Sequence, residues 1–131
     1  MTRRALLLSI VLVFTVGGVA VSYGETDLAN ALIGKWEGSI MHFNRNNPNR
    51  TLVITSVDGA SAKGKWGIPG RATWAVTIAV DASGGAPTLR FSDASGLPVR
   101  LTLQGRRLVG TVTQNSNSAP REWDLRLDRA D

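Results

Sequence analysis

From Trp36 to the end of the chain, apolar residues recur at every second position in short runs, and each run stops at turn-forming residues. A period of two puts alternate side chains on opposite faces of a β-strand, whereas a helix needs a period near 3.6. Eight such runs can be read. Trp36, Gly38, Ile40 and His42 share one face of the first. Leu52, Ile54 and Ser56 alternate in the second, and Ala62, Gly64 and Trp66 in the third. Trp74, Val76, Ile78 and Val80 form the longest apolar row. Leu89 with Phe91, then Val99 with Leu101 and Leu103, then Leu108 with Gly110 and Val112, and finally Trp123 with Leu125 and Leu127 complete the series. Before them, Glu25 to Leu32 is a polar-to-apolar lead in which Thr26 is placed to cap one helical turn.

The turns agree with the faces. Gly105-Arg106 reads as a two-residue hairpin turn with glycine first. It pairs Leu103 with Leu108 and Leu101 with Gly110, so both apolar rows fall on one face. A three-residue turn at Asp58-Gly59-Ala60 pairs Ile54 with Gly64 and Leu52 with Trp66, again on one face. A slip of one residue in either hairpin would mix the faces. All the joints are short, so the strands are expected to run as an up-and-down meander. Eight meandering strands with one apolar face predict an all-β, eight-stranded antiparallel barrel, since closure removes both sheet edges. A two-sheet β-sandwich is the alternative.

The first 24 residues have a different character. Thr2-Arg3-Arg4 is basic, Ala5 to Val16 is almost unbroken apolar sequence, and small residues from Gly17 to Gly24 precede Glu25. This three-part layout is that of a signal peptide. The competing reading is an uncleaved membrane anchor, but the apolar stretch Ala5 to Val21 is shorter than the roughly 20 residues of a spanning helix, which favours cleavage. The expected domains are therefore 1–24, a signal helix, and 25–131, one β-barrel without a membrane span. Such a protein is periplasmic or extracellular. The chain has no cysteine, so neither disulfides nor thiolate chemistry contribute to it. Of 15 basic residues, Arg3 and Arg4 leave with the signal, and the remaining 13 stand against 10 acidic ones, a net charge of +3. They are interspersed, and the blocks of like charge that mark nucleic-acid-binding tails are missing.

The first strand carries Gly34-Lys35-Trp36, a G-x-W sequence that resembles the opening of the calycin barrels, the lipocalins and their relatives. The longer Gly34-Lys35-Trp36-Glu37-Gly38 is similar to small secreted bacterial barrels. The resemblance implies that Trp36 closes one barrel end beneath an arginine from the last strand. Arg129 continues the inward parity of Trp123, Leu125 and Leu127, so it is the residue expected over Trp36 as a cation–π partner. Both roles are structural. The chain is shorter than a typical lipocalin and lacks its cysteines and the helix after its last strand.

Little in the sequence points to catalysis. His42 is the only histidine. It has no partners for a zinc site, and by parity it lies at the barrel mouth beside the Asn44–Asn49 loop. The serines lie outside any nucleophile-elbow pattern, the aspartates lie in turns or on outer faces, and Asp93 to Gly96 is a turn rather than a calcium loop. Trp36, Trp66, Trp74 and Trp123 all take inward parity, which favours core packing. Trp66, at a strand end next to Gly67-Ile68-Pro69-Gly70, is the one with a side that can stay open. Trp66, Trp74 and His42 are thus the candidate ligand contacts. Gly38, Ala62, Gly64 and Gly110 leave room opposite the indoles, which side chains or one small ligand can fill.

On the outer face, aligning Leu89 with Leu101 and Phe91 with Val99 sets Arg90 opposite Arg100. Like charges so placed repel unless an acid or an anionic partner intervenes. Arg107 on the next strand extends this basic patch. The expected function is a non-catalytic binding protein, without cofactor or metal, for a small apolar ligand. The alternative is an inhibitor or interaction protein that uses its loops on an envelope enzyme or anionic polymer. An open apolar cavity between Trp36 and Trp74 would mark the first, and a filled interior the second.

Overall fold

The computed structural model describes residues 24–41, 47–115 and 120–131. The expected signal segment, apart from Gly24, lies outside the described residues, as does His42. One helix, α1 (Glu25–Leu32), precedes eight strands: β1 (Gly34–Ile40), β2 (Asn49–Asp58), β3 (Ser61–Gly67), β4 (Thr73–Asp81), β5 (Thr88–Ser92), β6 (Pro98–Gln104), β7 (Arg107–Asn115) and β8 (Pro120–Arg129). Each strand pairs antiparallel with its neighbour in sequence, and β8 returns to β1, so the sheet is a closed barrel and not a sandwich.

The register follows the alternation. Leu103 faces Leu108 and Leu101 faces Gly110 across β6–β7. Gly105 has φ +64° and Arg106 after it stays out of the positive region, the pattern of a type II′ turn. Leu89 faces Leu101, Phe91 faces Val99 and Arg90 faces Arg100 across β5–β6. Leu52 faces Trp66 and Ile54 faces Gly64 across β2–β3, as expected, but the turn that sets this register differs. Asp58 pairs with Ser61, leaving a two-residue Gly59-Ala60 turn, and the odd residue is absorbed by an irregularity between Ile54 and Ser56. A bulge changes the parity of its strand. Ser56 is therefore exposed, and Val57, opposite Ala62, packs against the core in its place.

Helix α1 is two turns long rather than one, and Thr26 is not its cap. Its N-cap is Gly24, without a side-chain hydrogen bond, and the Leu28 N–H donates to the Gly24 carbonyl at 2.8 Å. Leu28 and Leu32, four residues apart and so on one helix face, are both buried in the core cluster. They cover the barrel end where β1 begins. The core contains Trp36, Ile40, Leu52, Ile54, Trp66, Ile78, Leu89, Leu101, Leu108, Leu125 and Leu127 among its buried side chains. Trp66 and Phe91 meet edge to face across it, with ring centroids 5.2 Å apart.

The glycines Gly38 and Gly110 do not act as sockets for indoles. A Cβ on Gly38 would strike the backbone carbonyl of Arg126 on β8, and one on Gly110 that of Arg100 on β6. Their missing side chains let neighbouring strands approach as the small barrel bends.

Candidate binding surface

The two ends of the barrel differ. At the α1 end, Arg129 lies over Trp36 with its guanidinium carbon 5.0 Å from the ring centroid. The same guanidinium donates to the carbonyls of Ala31 (2.8 Å), Ile33 (2.7 Å) and, more weakly, Asn30 (3.4 Å). The Trp36 Nε1–H donates to the Leu32 carbonyl at 3.0 Å. The Asp131 carboxylate accepts from Arg129 Nε (3.0 Å) and from the Lys35 backbone N–H (3.1 Å). These bonds hold the Asp131 carboxyl below its usual range, the Lys35 backbone N–H contributing most. Trp36 and Arg129 are thus brought together as expected, and they close this end.

At the opposite end Trp66 and Trp74 are direct cross-strand partners, while His42 lies outside the described residues. Trp66 is only 3 % exposed and has no open side. Trp74, although it faces Trp66 in register, is 47 % exposed. It shares the inward parity of Val76 and Ile78, but at the start of β4 it stands beyond the depth at which the core fills. Parity fixes a face, not a depth. Trp123 is half-buried, and its Nε1–H donates to Gln114 Oε1 at 3.3 Å. Arg121 lies 5.9 Å from its ring centroid.

This end also holds Arg50, which lies between the expected Asn44–Asn49 loop and the row that begins at Leu52. β2 starts at Asn49, so Arg50 takes the parity of Leu52 and Ile54 and faces Gly38. Extending that alternation back by one step would have found it. Its Nη1 donates to the carbonyls of Asn47 (2.8 Å) and Asn49 (2.7 Å). Burial lowers its pKa from the usual value, against the pull of Asp93.

The interior around Trp36 is packed, while Val76 and Phe91, nearer Trp74, keep 8 % and 7 % of their surface accessible. Trp36, Leu52, Ile78, Leu89, Leu101, Leu108, Leu125 and Leu127 have no accessible surface at all. A side chain with none borders neither solvent nor a void large enough for a water molecule.

A concave surface among the described residues lies on the outer wall. A groove of about 430 Å³ is lined by Arg90, Ser92, Pro98, Arg100, Thr111, Thr113 and Glu122, with Phe91 and Val99 behind them. It crosses β5, β6, β7 and β8, three strand spacings or roughly 14 Å. Arg90 and Arg100 are direct cross-strand partners at one end. Thr111 is the next partner of Arg100, with Asp124 beyond it. Glu122, opposite Thr113, marks the other end.

Neither arginine makes an ion pair within 4.0 Å among the described residues; the pairs there are Lys35–Glu37, Arg107–Asp128 and Arg129–Asp131. Asp81 feels Arg90, but its pKa is lowered chiefly by hydrogen bonds from the Ser83 hydroxyl and backbone N–H, with Arg90 the last contributor. Arg107 does not extend the patch. Its Nε is 2.7 Å from Asp128 Oδ1, and it lines a separate hollow with Gln104, Arg106 and Asp128. The threonines and Glu122 are legible in hindsight as outward-parity neighbours of Arg100.

Among the described residues no group of three or more His, Asp or Glu side chains is placed to hold a metal ion. Fold and surface together define a closed eight-stranded antiparallel barrel with a cationic groove on its wall. No protein-family model matches the chain, and comparison with curated proteins and with solved structures also finds no match.

Proposed function

We propose that this is an exported, non-catalytic interaction protein of the calycin barrel type that engages an anionic partner with its outer wall. The observation that carries this reading is the packed interior: eight inward side chains, Trp36 among them, have no accessible surface. A ligand-carrying barrel needs an internal space. With that space occupied by side chains, recognition falls to the outside, where Arg90 and Arg100 stand side by side and neither makes an ion pair among the described residues. Export is supported by the basic, apolar and small-residue succession of residues 1–24. The partner is therefore a component of the cell envelope or its surroundings.

Native mass spectrometry of the processed protein from its own envelope tests the reading. The expected result is the bare mass of the chain under gentle ionisation, with anionic material enriched alongside it at low salt. A stoichiometric apolar adduct would instead establish the barrel as a carrier of a small apolar ligand.

A further inference from the structure

We infer that the Arg90–Arg100 groove is a binding site for an acidic saccharide in which carboxylate-bearing sugars are separated by neutral ones; the inference rests on the outer-wall reading above. Four observations select this class.

First, the two guanidiniums are adjacent outward positions of paired strands. Arginine forks suit planar carboxylates, each offering two parallel N–H donors. An arriving anion also relieves the repulsion between them.

Second, the lining next to this pair is hydroxylated. Ser92 stands beside Arg90 on β5, Thr111 and Thr113 follow Arg100 on β7, and each hydroxyl both donates and accepts. That is the complement of a sugar ring's own hydroxyls.

Third, Glu122 stands at the far end, about two strand spacings or roughly 10 Å from the strand of Arg100. A densely charged chain such as polyphosphate would set further anions against it. A chain whose next unit is neutral would present hydroxyl donors to it instead.

Fourth, two other classes of partner fit poorly. The aromatic ring in the lining belongs to Phe91, which is buried on the inner side, so the exposed stacking surface that single-stranded nucleic acids use is missing from the groove. The closed barrel leaves no strand edge among the paired strands, so a peptide cannot join by adding a strand.

Calorimetric titration with a hyaluronan hexasaccharide, in which glucuronate alternates with a neutral sugar, tests the inference at low ionic strength. The controls are the same saccharide with its carboxyls reduced to alcohols, and inorganic polyphosphate. Binding is expected to weaken with salt, to be lost on carboxyl reduction, and to fall about tenfold or more in Arg90→Gln and in Arg100→Gln. Arg107→Gln, in the other hollow, should bind as the unaltered protein does. Thermal melts of each variant establish that it is folded. Three results would overturn the inference: tighter binding to polyphosphate than to the hexasaccharide, equal binding of the carboxyl-reduced saccharide, or unchanged binding in the two arginine variants. None of these bears on the mass-spectrometric search for an apolar adduct, so the two readings fail separately.

Discussion

The Arg129 guanidinium lies 5.0 Å from the centre of the Trp36 ring and binds three carbonyls at the end of α1. One side chain of the last strand thus joins the first strand to the helix. Removing it leaves helix-end carbonyls unpaired and uncovers an indole. Arg129→Met should cost about 3 kcal/mol of unfolding free energy in urea, and Arg129→Lys about 2 kcal/mol, because lysine keeps the charge but cannot fork. Equal stability of the lysine variant and the unaltered protein would show that charge alone suffices.

The Asp131 carboxylate, held low by Lys35 and Arg129, makes stability depend on acid. A carboxyl with a depressed folded pKa binds protons less readily in the folded state. Its contribution is complete above the usual carboxylate value of 3.8 and disappears as pH falls through the lower folded value. Asp131→Asn should therefore be less stable than the unaltered protein at neutral pH and equal to it in strong acid. Melting curves from pH 2 to pH 7 measure this, and a gap that widens on acidification would refute it.

Like charges face each other at Arg90 and Arg100. Without a bound anion, Arg100→Glu should stabilise the fold by about 0.5–1 kcal/mol, since it replaces repulsion by a cross-strand pair. Losing the exposed Arg107–Asp128 pair, by contrast, should change stability by less than about 1 kcal/mol. Chemical denaturation of both variants in phosphate-free buffer decides the matter; destabilisation by Arg100→Glu would mean that the chain itself already compensates the arginine pair.

Gly110→Ala would drive a methyl group into the Arg100 carbonyl. It should cost about 2 kcal/mol or more, within the range of overpacked sites. Gly84→Ala, where nothing lies within 4 Å of the added atom, should be nearly neutral. Matching denaturation midpoints for the two would show that the strands at Gly110 can part without penalty.

Trp74 is 47 % exposed while Trp36 has no accessible surface. Acrylamide should quench one component of the tryptophan emission far more than the rest, and Trp74→Phe should remove that component. Trp36→Ala should cost about 3–5 kcal/mol, and Trp74→Ala less than about 1 kcal/mol. An unaltered quenching profile in Trp74→Phe would place the exposed indole elsewhere.

These features differ in how plainly the residues announce them. The hairpin at Gly105-Arg106 could be read in full because a two-residue turn with glycine first leaves only one register that keeps Leu103 and Leu108 on the same face. The Arg90–Arg100 pair followed from the same logic. The turn at Gly59 was legible only in its outcome. Two compensating irregularities, a shorter turn and a bulge after Ile54, give the same pairing of Leu52 with Trp66 as one longer turn, and only Val57 betrays the difference. Trp74 was misplaced because alternation carries no information on where the rim lies. The groove was legible as two arginines but not as a cavity, since its depth comes from Thr111, Thr113 and Glu122 on two further strands.

The seam between β1 and β8 has a consequence in time. Lys35 and Asp131, bonded across it, are 96 positions apart, and β8 is the last strand of the chain. Every other pairing joins strands adjacent in sequence, so seven strands can assemble by local steps while the first waits for the eighth. Until it arrives, β1 and β7 each present an open row of backbone donors and acceptors. In that interval, two half-formed molecules offer each other the same edges that each will later offer itself. The yield of closed barrels is thus a race between β8 and a neighbouring chain, and dilution favours β8.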